Sequence, residues 1–184
     1  MKPKLTPKIM GLCLVWGLLC LLVINISVWQ KEQLWQHGEP ILLELAPVDP
    51  RSLMQGDYMQ LDYELARQLA NELRAKGQFQ DNMQGWLRVS LDEQQRAAFV
   101  ALESDLEAPL LQRQRRLPFK VRQGEVQLAS QAFFFEEGQA EHFSQGRYGE
   151  LRLGADGELM LVGLRDSNLS RFEPKSGKAM FLEH

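Results

Sequence analysis

The residues best suited to chemistry are a serine and a lysine. Ser52 lies four residues ahead of Gly56-Asp57, which opens an alternating segment, and Lys120 follows much later. A serine nucleophile activated by a lysine base is a known route to hydrolysis, but the lysine must be desolvated to be neutral near pH 7. Lys120 sits in Leu117-Pro118-Phe119-Lys120-Val121-Arg122, where it alternates with Phe119 and Val121. Alternation puts it on the face opposite theirs, away from a core. Ser52 follows Asp49-Pro50-Arg51, and its simpler role is a hydroxyl bonded to its own turn.

The second candidate chemistry is carboxylate. Glu136, Glu137, Glu141 and Glu150 surround the end of a Phe-rich segment, with Arg147 and Tyr148 between them. A carboxylate pair such as Glu137 and Glu150 is what glycoside hydrolysis requires. Charged side chains usually stay in water, so solvated loop charge is the expected state of these groups. A metal centre is not expected: His37, His142 and His184 lack ligand spacing, and both cysteines, Cys13 and Cys20, fall in an apolar run. There is no Gly-rich phosphate loop and no Gly-x-Ser-x-Gly elbow, so no cofactor is expected. The residues left as candidates for binding are Tyr58, Phe133, Phe134, Phe135, Glu137, Tyr148 and Glu150. In a strand, Phe133-Phe134-Phe135 must turn at least one ring away from the core.

These residues need elements to position them. Ile41–Leu45 reads as a short strand stopped by Pro47 and Pro50. From Tyr58 to Tyr63 the period is two, with Met59, Leu61 and Tyr63 inward. Leu65, Leu69 and Leu73 recur every four residues among good helix formers, which predicts a helix over 64–76 closed by Gly77 at C′. Three hairpins are expected: 85–91 with 97–102, 117–122 with 126–128, and 150–153 with 158–164, the last around an Asp156-Gly157 turn. Phe133–Phe135 adds a strand, and 139–145 a helical turn. The predicted class is mainly β with one external helix (α+β), a small barrel or sandwich of antiparallel hairpins.

Ahead of this domain, Ile9–Val28 is an uncharged apolar run of about 20 residues, enough to cross a bilayer. Lys2, Lys4 and Lys8 precede it, which places the N-terminus inside and the rest outside. The run is longer than a signal-peptide core and has no small-x-small cleavage site after it, and Leu18-Leu19-Cys20 lacks a lipobox, so an uncleaved anchor is expected. The predicted division is a basic N-terminus over 1–8, a transmembrane helix over 9–28, a juxtamembrane stalk over 29–39, an exported β-rich domain over 40–166 and a loose polar tail over 167–184. Of the 21 basic residues, three precede the span, so 18 face 24 acidic ones, a net charge of −6. An acidic domain is a poor partner for nucleic acid.

Gly56-Asp57-Tyr58-Met59-Gln60-Leu61-Asp62-Tyr63 fits the pattern Gly-Asp-Tyr-x-x-Leu-x-Tyr without a mismatch. With the lead-in PVDPRSLMQGDY and the later FFFEEG, the chain resembles the bacterial GDYXXLXY family of single-span proteins. That resemblance implies export from the cytoplasm across the inner membrane and genetic neighbours that are polytopic membrane proteins. It transfers Gly56, Asp57, Tyr58, Leu61 and Tyr63 as a signature and assigns no catalytic role. Two functions from different classes follow: an anchored binding or accessory subunit for a polytopic membrane protein or envelope complex, and an envelope hydrolase or peptidase similar to signal peptidases. A small-ligand-binding barrel is a third, which requires an enclosed apolar pocket.

Overall fold

The computed structural model describes residues 7–46, 58–135 and 139–172. Ser52, Gly56, Asp57, Glu136 and Glu137 therefore lie outside the described residues. The chain forms two compact units, one ending at Gly38 and one beginning at Glu39.

The first unit is a single helix, α1 (Pro7–His37), apolar and long enough to cross a bilayer. Its large side chains from Leu12 to Trp35 are exposed almost throughout, as suits a helix solvated by lipid. The two polar residues in the run satisfy themselves locally. Asn25 Nδ2 donates to Leu21 O at 2.8 Å and Ser27 Oγ to Val23 O at 3.0 Å. The helix continues unbroken through most of the stretch expected as a stalk.

The second unit is mainly β, as the alternating segments require. Its elements are β1 (Glu39–Glu44), β2 (Tyr58–Gln60), α2 (Glu64–Ala75), β3 (Gln84–Leu91), β4 (Ala97–Glu103), β5 (Gln114–Arg122), β6 (Glu125–Gln127), β7 (Ala132–Phe134), α3 (Ala140–Phe143), β8 (Tyr148–Leu153) and β9 (Leu159–Arg165). They make three antiparallel sheets, ordered β1-β8-β9, β2-β7 and β4-β3-β5-β6. The three expected hairpins are all present, as β3–β4, β5–β6 and β8–β9. The β5–β6 turn holds Gln123 at φ 53 and Gly124 at φ 76, two left-handed residues of the kind that closes a tight hairpin.

α2 lies against β6, β4 and β1, so the sheets close around its apolar stripe. Leu65, Leu69 and Leu73 are buried in one core cluster with Leu87, Leu117, Phe119, Ile41 and Leu151. Its end is a Schellman cap: Gly77 has φ +65, Gln78 N donates to Leu73 O and Gly77 N to Arg74 O. Past Arg165 the chain turns back at once. Asp166 accepts from Asn168 N and Ser170 N, and Phe172 N donates to Leu164 O at 3.0 Å. The tail expected from residue 167 is thus paired through Phe172, because an aspartate suited to a tight turn precedes a ring that joins the core.

Candidate functional site

The signature strand and its partner bring together three of the candidate binding residues, Tyr58, Phe133 and Phe134. β2 itself covers only Tyr58–Gln60, but the alternation runs on to the start of α2. Met59, Leu61 and Tyr63 are all buried, while Gln60 is exposed and Tyr58 is half-buried. Leu61 N donates to Gln131 O, and Tyr63 forms a bridge to Leu45 at the end of β1. The Tyr63 ring is 2 % exposed, and its hydroxyl donates to Ser130 O at 2.9 Å. Burial pushes this phenol well above its ordinary value.

Across the β2–β7 ladder Tyr58 faces Phe134 and Met59 faces Phe133. Opposite faces give the neighbouring phenylalanines opposite fates. Phe133 turns in and meets Phe143 edge-on at 5.1 Å, and Phe135 stacks on the same ring at 5.5 Å. Phe134 turns out, 74 % exposed, with the Tyr58 ring 5.7 Å away and tilted by 41°. One exposed ring beside a half-buried tyrosine makes an apolar patch on this two-stranded sheet.

Residues 60–62 also form the wall between two clefts. On one side a cleft of about 470 Å³ runs beneath α2, over Leu61, Ala66, Ala70 and Val126. Ala66 and Ala70 lie one helical turn apart, and their short side chains leave this space open. Asp62 and Arg67 close one end through an ion pair of 2.8 Å. On the other side a cleft of about 270 Å³ is bounded by Leu45, Met59, Gly146 and Arg147. Among the described residues the inward side chains of the sheets and α2 gather into one core cluster.

The model of the GDYXXLXY protein family matches residues 20–164, most of the chain. The chain belongs to that family. No curated protein and no solved structure matches it. In this GDYXXLXY protein the described signature positions divide by role: Leu61 and Tyr63 are core, and Tyr58 reaches the surface.

The hydrolase candidates are not assembled among the described residues. Lys120 is exposed on the face opposite Phe119 and Val121. Tyr148 is half-buried on β8, in a sheet other than that of Phe134, and lines a cleft with Arg96. Arg147 pairs with Glu44 at 2.7 Å. Glu150 corrects the expectation of solvated loop charge: it lies within β8 and is 1 % exposed, held by arginines from farther along the chain.

A second buried carboxylate escaped the sequence reading altogether. Glu103 is enclosed by Arg88, which donates from Nε at 2.9 Å and from Nη2 at 2.8 Å, and by Arg116 Nε at 3.2 Å. Burial alone would raise its pKa, but the two guanidiniums outweigh it and hold the carboxyl below the usual range. Its signal was available only in part. Alternation places Arg88 between the inward Leu87 and Val89, but the register that sets Glu103 beside it is a tertiary property.

Proposed function

We propose that this GDYXXLXY protein is an anchored binding subunit, whose β-rich domain docks a membrane protein of the bacterial envelope through the signature strand. The observation that carries this is the Phe134 ring, 74 % exposed beside Tyr58 on the face opposite the core. A ring so placed contributes nothing to the core and would gain about 1.5–3 kcal/mol on burial against a partner. The flanking clefts add polar rims, from Asp62 and Arg67 on one side and Arg147 on the other, that can read a bound segment's backbone. The apolar α1 supports a location at the bilayer, where such a partner would be met.

The test is site-specific photocrosslinking in intact membranes. A photoreactive phenylalanine analogue at position 134 is expected to give one discrete adduct with an integral membrane protein. The same analogue at Lys120, exposed on another sheet, is expected to give none. Tyr58→Ala should diminish the adduct at 134 while leaving the protein's abundance unchanged. Equal labelling from 134 and 120, or none from either, would remove this surface as a docking site.

A further inference from the structure

The outward face of β8 and β9 carries a second site. Leu151 and Leu164 point to the core, so Glu150 lies on the opposite face, where a carboxylate belongs in water. Glu150 is buried there because guanidiniums cover it. Arg165 Nε donates to Oε2 at 2.9 Å, Arg171 Nε stands 3.7 Å from the same oxygen, and Arg152 Nη2 stands 3.6 Å from Oε1. Gly163 is opposite Glu150 in the ladder, and a Cβ there would come within 3.1 Å of Arg171 Nε. The missing side chain is what lets Arg171 lie across the strand.

The two guanidiniums on Oε2 are fixed on both sides. Their Nε edges face Glu150, while Arg165 Nη1 donates to Leu169 O at 2.8 Å and Arg171 Nη2 to Val162 O at 2.8 Å. Arg165 Nη2 and Arg171 Nη1 have no partner among the described residues, and the side chains remain 30 % and 43 % exposed. One carboxylate thus holds two cations at a single oxygen with a third beside its other oxygen, and all three arginine side chains keep part of their surface open to solvent. The acidic domain around it means that bulk attraction cannot account for anion binding here, so any such binding must be local.

We propose that Arg165 and Arg171, braced by Glu150 and flanked by Arg152, bind a phosphate group. Guanidiniums donate charge-assisted hydrogen bonds to phosphate oxygens, and prior positioning by Glu150 reduces the ordering that binding would otherwise require. The phosphate belongs either to a free phosphorylated solute or to a lipid headgroup.

The experiment uses the full chain in non-ionic detergent and in reconstituted bilayers, followed by thermal unfolding. In detergent, inorganic phosphate at constant ionic strength should raise the melting temperature in a saturable way, which assigns a free phosphate. Stabilisation seen in bilayers of phosphatidic acid with phosphatidylcholine, and absent both from phosphatidylcholine alone and from phosphate in detergent, assigns a headgroup. In either arm Arg171→Gln should lower the apparent affinity by about tenfold or more. Arg171→Lys, which keeps the charge and loses the braced guanidinium, should weaken it to an intermediate level and decides the matter if the glutamine variant does not fold. No stabilisation in either arm, or a response unchanged in these variants, overturns the site.

Discussion

Tyr63→Phe separates the packing of the signature tyrosine from its hydroxyl. The ring is 2 % exposed, so the phenylalanine keeps the shape and the apolar contacts, and only the bond to Ser130 O is lost. One intramolecular hydrogen bond is worth about 0.5–1.5 kcal/mol net, so the variant should be less stable by roughly 1 kcal/mol at pH 8. The pH dependence carries the sharper test. Burial raises the folded-state pKa of Tyr63 above the unfolded value of about 10, so the folded protein holds this proton more tightly. The stability tied to that proton is complete below the unfolded value and falls as pH rises above it, until the folded pKa is reached. One unit above the unfolded value, at about pH 11, the loss amounts to about 1.4 kcal/mol. The phenylalanine variant has no such loss, and every other side chain is common to the two proteins. Urea unfolding of the full chain in detergent should therefore show the wild type ahead at pH 8 and the two proteins level near pH 11. A stability difference that stays constant from pH 8 to pH 11 would refute a buried, proton-retaining hydroxyl.

Two further outcomes follow from the same packing. Glu103→Gln removes the anion between Arg88 and Arg116 and should cost about 3 kcal/mol at pH 7. Because the folded-state pKa of Glu103 is lowered, its contribution is present above the unfolded value of about 4.3 and is lost as pH falls through the folded one. Urea midpoints of variant and wild type should accordingly converge in acid. Gly157→Ala places a Cβ within 2.5 Å of the Trp86 ring at a φ of +84°, and should lower the melting temperature through about 1–3 kcal/mol of strain.

What the sequence disclosed was what local chemistry controls. The four-residue leucine spacing and Gly77 specify α2 and its cap, and the alternation around Lys120 specifies which way it points. Asp156-Gly157 and Gln123-Gly124 close hairpins whose strands are neighbours in sequence. The pairing of β1 with β8 joins Leu42 to Glu150 and has no local signature, because register between distant strands is decided by packing. Glu150 was illegible for that reason. Its identity and neighbours suggest a solvated carboxylate, and the arginines that cover it come 15 and 21 residues later, on β9 and in the turn after it. The clefts were hidden differently. Ala66 and Ala70 read as ordinary helix formers, and only the position of α2 over Leu61 and Val126 turns their small size into open space.

The signature itself is best understood as two functions carried on one strand. Tyr58 and Tyr63 are five residues apart, and an odd separation on an extended chain puts them on opposite faces. The inward set, Met59, Leu61 and Tyr63, ties the strand to β1 and to the Ser130 carbonyl, and so fixes the wall that divides the two clefts. The outward set, Tyr58 with Phe134 across the ladder, makes no comparable demand on the core. A pattern with required residues on both faces of so short a strand is more than packing needs, since a core strand constrains only its inward positions. The inward tyrosine holds the strand in place, and the outward one lies beside Phe134 on the surface that this placement exposes.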